Sequence, residues 1–157
     1  MKENSETDGA AFWEHALNFY NQPGAKEVLL DYQDRLEVDV MASLWALSAA
    51  VEGRSLNAED VNEFFELTNK ARMEASRLRK LRRKAKSDDC PEYQRLQIQE
   101  LAAERAVASS APPINSVGKA DIFDENLGFR NLKLTLAISA PKVTQAEIWK
   151  LTKIIIG

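Results

Sequence analysis

Seven basic side chains fall between positions 77 and 86: Arg77, Arg79, Lys80, Arg82, Arg83, Lys84 and Lys86. No other stretch of this 157-residue chain concentrates chemistry so strongly. Guanidinium and ammonium groups held on a rigid element grip carboxylates and phosphates, and on nucleic acid they gain by releasing counterions. Residues 70–86 hold nine bases and one acid, a charge of +8, so the remaining residues carry −11 within a net charge of −3. A mildly acidic chain with one basic block predicts an electrostatic docking surface. Arg77, Arg79, Lys80, Arg82, Arg83 and Lys86 are the expected partner-binding residues, facing an acidic protein surface or RNA. Against RNA stand the absence of aromatics interleaved with the bases and the acidic whole-chain balance. A third reading pairs the bases with Glu92, Glu100 and Glu104 of the following helix, with Glu92 best placed for the basic end.

A second group, Gln33, Asp34, Arg35 and Asp39, sits at a predicted turn. Its two carboxylates could hold a divalent cation or act as acid and base. The alternative is a structural polar cluster: Asp39 caps a helix while Gln33 or Asp34 ties the turn. EF-hand spacing is absent. His15 lies beside an apolar stripe, as a boundary residue would, and Cys90 lies in a turn before Pro91. One cysteine excludes an intramolecular disulfide and any cysteine-cluster zinc site; one histidine excludes every two-histidine metal motif. There is no P-loop, no G-x-G-x-x-G, no G-x-S-x-G and no H-E-x-x-H. The expectation is therefore a protein that is not an enzyme and has no cofactor and no metal.

These groups need a scaffold, and the chain predicts helices. Residues 1–8 read as a disordered tail, and 9–157 as a single helical domain. Phe12, Trp13, Ala16, Leu17 and Tyr20 form one stripe of a first helix, stopped by Pro23-Gly24. A second helix spans roughly 25–36. A third, 40–52, follows Asp39 and ends at Gly53. A long fourth helix starts at Ser55 or Asn57, with acids at its start and bases at its end, which suits the helix dipole at both ends. A turn at 87–91 leads into a fifth helix ending near Ala108, giving a long antiparallel hairpin over about 58–108. Ser109–Lys119 is Ser/Pro/Gly-rich and reads as a flexible linker.

Two more helices return. The segment 132–138 alternates apolar and polar as a strand would, yet no partner strand is evident, so a helix over about 121–139 is preferred. Thr144-Gln-Ala-Glu147 is a capping box opening the last helix. Trp45 and Trp149 fall one position off the predicted inner stripes, filling gaps or marking a groove. The sum is an all-α, single-domain bundle of about seven helices. The first residues contain no apolar leader, and the longest apolar run, Val40–Val51, is too short to cross a bilayer. With a single cysteine, the expected setting is the cytoplasm, with no membrane association.

Part of the chain resembles a known family. Phe12-Trp13-x-x-Ala16-Leu17-x-x-Tyr20-x-x-Pro23-Gly24, then Leu29-Leu30, Gln33-Asp34, Asp39-Val40 and Leu44-Trp45, resemble the N-terminal signature of a proteobacterial family of small helical proteins classed as a domain of unknown function. Leu78-Arg79-x-x-Arg82-Arg83-x-x-Lys86 and Glu100-Leu101-x-x-Glu104-Arg105 are similar to its second half. The resemblance covers about 12–105. It implies an all-helical, soluble bacterial protein and transfers no site residue, activity or cofactor. The expectation from the residues themselves is a non-enzymatic interaction module whose hairpin projects a basic tip.

Overall fold

A helix without a polar face has to be surrounded. In the computed structural model, which describes residues 2–85 and 91–157 with side chains from Ala10 onward, Val40–Val51 forms α3, and every side chain from Met41 to Ala50 is buried. Asp39 caps it as expected, its Oδ1 accepting the amide proton of Ala42 at 3.0 Å. Trp45, predicted off the inner stripe, is fully buried and stacked on Phe64 at 4.5 Å between centroids. The stripe argument fails here because α3 has no outer side.

Around α3 stand α1 (Lys2–Tyr20) and α2 (Ala25–Leu36), the hairpin of α4 (Ala58–Lys84) and α5 (Pro91–Ser110), then α6 (Glu125–Ser139) and α7 (Gln145–Ile156). The described residues thus form an all-α bundle of seven helices, and none of these helices is long and apolar enough to cross a membrane. α1 begins at Lys2, not near Gly9, so residues 2–8, expected as a disordered tail, belong to a helix. The 132–138 segment is helical inside α6, burying Leu132, Thr135 and Leu136. Asn57 with Asp60, and Thr144 with Glu147, form reciprocal capping boxes at the starts of α4 and α7.

The 109–119 stretch, expected as a flexible linker, is packed. Ser109 and Ser110 finish α5, residues 114–116 make one 3-10 turn, and Ile114 and Val117 are buried in the core. Their apolar side chains anchor what composition marks as a linker. A two-residue antiparallel ladder, unforeseen from the sequence, joins β1 (Arg54–Ser55) to β2 (Lys119–Ala120). Gly118 makes this close approach possible: its φ is +63°, and a Cβ there would collide with the Ser55 carbonyl oxygen. Asn131 of α6 locks the same corner, accepting from the Leu56 amide at 3.0 Å and donating to the Arg54 carbonyl at 2.9 Å.

Candidate functional site

The basic block splits into two faces of α4. A helix advances 100° per residue, so bases at successive positions cannot all point one way. Met73, Arg77, Lys80 and Lys84 lie on one line at i, i+4, i+7 and i+11, and all four are exposed; Met73 is 65% accessible. Arg77 pairs only with Glu74 on its own helix, an exposed i,i+3 pair. Among the described residues, Lys80 and Lys84 make no ion pair.

Arg72, Arg79, Arg82 and Arg83 point the other way. Arg82 Nε donates to Glu100 Oε1 at 2.6 Å, and its Nη1 to the Tyr93 hydroxyl at 3.2 Å. These bonds hold the Arg82 pKa above its ordinary value, the Glu100 hydrogen bond most of all. Arg79 Nε donates to the other Glu100 oxygen at 3.3 Å. The Glu100 side chain retains only 10% of its exposure. Arg83 reaches across to α2, bonding Asp34 and, at 3.5 Å, Gln33. Arg72 donates to Asp39 at 3.3 Å, Thr68 Oγ1 at 2.8 Å and the Phe65 carbonyl at 2.9 Å.

Among the described residues the basic end pairs with Glu100 instead of Glu92, and Glu92 pairs with Arg95 of its own helix at 3.8 Å. The cause is hairpin register: Ala75 and Leu78 pack with Leu96 and Ala103, which sets Glu100 opposite Arg79. Arg83's reach to Asp34 also means that the hairpin lies against the body instead of projecting from it. Lys86, Cys90 and the predicted turn at 87–90 lie outside the described residues.

The polar cluster and the inward bases meet. Gln33, Asp34 and Asp39 line one wall of a cleft of about 530 Å³, and Arg72, Arg79 and Arg83 line the other, with the exposed Met73 and Lys80 of the outward line reaching its rim. Each carboxylate already has an arginine, and no group of three metal-ligating side chains occurs among the described residues. Asp39 therefore serves as cap and ion-pair partner, and Asp34 as the α2 end of a bridge to α4. His15 stands at the surface, its Nε2 2.8 Å from Glu52 Oε1 and its ring stacked on Phe19.

Glu104, expected as one of three partners for the basic helix, makes no ion pair among the described residues. It lines this cleft and also a second cavity of about 190 Å³ where α1, α2, α3 and the hairpin meet. Burial, then the neighbouring Glu100 charge, push its pKa up to about 7, against the lowering effect of Arg79 and Arg82. Its spacing of i+4 from Glu100 was visible in the sequence, but like-charge repulsion across that turn becomes significant only once both are enclosed.

No curated protein and no solved structure matches the chain. A family match covers both cavities and the whole hairpin and leaves out α6 and α7. The model of the family described as "Protein of unknown function (DUF2390)" matches residues 11–110, and the chain belongs to that family.

Proposed function

We propose that this protein is a non-enzymatic interaction module that docks an acidic partner protein on the outward face of α4. The observation that carries the reading is the exposed line Met73, Arg77, Lys80, Lys84, with Leu81 beside it at 40% exposure. Three bases flanked by two exposed apolar side chains suit an acidic amphipathic segment: the charges steer and orient it, and the apolar side chains contribute affinity. Of the six binding residues expected from sequence, Arg79, Arg82 and Arg83 are spent on Glu100 and Asp34. The docking role therefore concentrates on Arg77 and Lys80, with Lys84 and Met73 added. A non-enzymatic role is supported by the partners already held by Asp34, Asp39 and His15. The single cysteine favours a cytoplasmic setting.

The test is retention at low salt on immobilised poly-glutamate and on poly-uridylate. The reading expects retention on poly-glutamate, its loss in the triple variant R77E/K80E/K84E, and unchanged helicity by circular dichroism. Retention that survives the charge reversal, or retention on poly-uridylate alone, contradicts it.

A further inference from the structure

The two cavities share a wall. Gln33, Val40, Met41, Arg79 and Glu104 line both, so the polar cleft and the apolar cavity meet at one point. Two groups at that point have unused hydrogen-bonding capacity. The Glu104 carboxyl makes no hydrogen bond to any described residue and is half-buried where the two cavities meet. Arg79 uses only its Nε, leaving both terminal guanidinium nitrogens without a partner among the described residues.

Away from Gln33, Arg79, Arg82, Glu100 and Glu104 the smaller cavity is apolar. Trp13, Ala16, Leu17, Leu44 and Leu101 line it, with Tyr20 at the side. Leu17 is 46% and Leu101 53% exposed, so its mouth opens to solvent between α1 and α5. An apolar cavity of about 150 Å³ takes up a benzene ring, so the 190 Å³ here accommodates one ring or a short acyl chain.

The charges decide what the polar end accepts. Arg79 and Arg82 come from α4, Glu100 from α5, Asp39 from the cap of α3, and Tyr20 from α1. Asp39 is already neutralised by Arg72 and Asp34 by Arg83, and Lys80 and Glu37, which also line the cleft, carry opposite charges. Glu100 is shared between two arginines, which leaves one positive charge in excess while Glu104 is protonated. An ammonium ligand would face that excess. A carboxylate would accept from the Arg79 terminal nitrogens and from the protonated Glu104 hydroxyl, completing both groups at once.

We infer that the junction of these cavities is a binding site for a small apolar monocarboxylate, with Arg79 and Glu104 holding the carboxylate and the Trp13–Leu17–Leu101 cavity holding the apolar end. Binding is proton-linked, because an ionised Glu104 repels the ligand. Affinity then follows the protonated fraction of Glu104, and from about pH 6 to about pH 8.5 it falls about thirtyfold for a group titrating near 7.

Calorimetric titration of the full chain with 3-phenylpropionate, and with the uncharged 3-phenylpropanamide, tests this. The acid is expected to bind at about pH 6 and to weaken by that factor at about pH 8.5, while the amide binds more weakly and without the pH dependence. Glu104→Gln donates in place of the protonated acid, so it retains the pH 6 affinity at both pH values. Arg79→Met loses the preference for acid over amide. Glu104→Gln also serves as the readout should Arg79→Met fail to fold. Absence of acid binding at pH 6, equal binding of acid and amide, or a pH dependence that survives Glu104→Gln overturns the inference.

Discussion

Arg82 donates its Nε proton to Glu100 across the α4–α5 hairpin at 2.6 Å, and this contact turns half of a basic block into structure. Arg79 adds a second donor to the same carboxylate. Two guanidinium groups compensate one enclosed anion, which offsets the desolvation of Glu100. Removing the carboxylate leaves both cations without it. Glu100→Ala is expected to lower the unfolding free energy by about 3 kcal/mol in urea titrations, with the m-value unchanged.

Glu104 makes stability depend on pH in the direction opposite to that of a salt-bridged carboxylate. Its folded pKa of about 7 lies above its ordinary 4.5, so between these values the native state binds more protons than the unfolded chain. Its contribution is complete below about pH 4.5 and is lost as pH rises through 7. The loss is bounded by about 3 kcal/mol, at 1.36 kcal/mol per pKa unit. Urea midpoints of wild type and Glu104→Gln should diverge as pH rises over this window, with wild type the one that weakens. Parallel midpoints across the window would contradict the assignment.

Asn131 ties α6 to the crossing between α3 and α4 through Leu56, Arg54 and, at 3.3 Å, the Ala46 carbonyl. Asn131→Leu keeps the volume and strands the Leu56 amide and the Arg54 carbonyl. A loss of about 2–3 kcal/mol is expected, read by thermal or urea unfolding.

Gly118 cannot accept a side chain without moving the β1–β2 ladder. Gly118→Ala combines a positive φ with a collision at Ser55 and should cost about 1 kcal/mol or more. Gly24 also has positive φ, +82°, but open space around its Cβ position, so Gly24→Ala should cost less. Equal losses at the two sites would remove the steric part of the argument.

Much of this fold is written locally. Asp39, the Thr144–Glu147 box and Pro23-Gly24 each set a helix boundary through bonds within a few residues, and all are legible as spacing. What spacing does not contain is register between distant elements. Whether Arg79 meets Glu92 or Glu100 depends on how Leu78 packs against Leu96. Asn131 was invisible for a related reason: its three partners lie 75 to 85 residues away. The split of the basic block follows from helical periodicity, but which face turns inward required the position of α5. The convergence of Gln33, Asp34 and Asp39 with the inward arginines on one cleft depends on the same packing.

The outward line on α4 is the central claim, and heteronuclear NMR with a poly-glutamate peptide addresses it most directly. The account predicts amide and side-chain perturbations that cluster at Met73, Arg77, Lys80 and Lys84, diminish as salt is added and spare Lys133 and Lys153 on the far helices. Perturbations spread evenly over every surface lysine, or none at the α4 line, would contradict it.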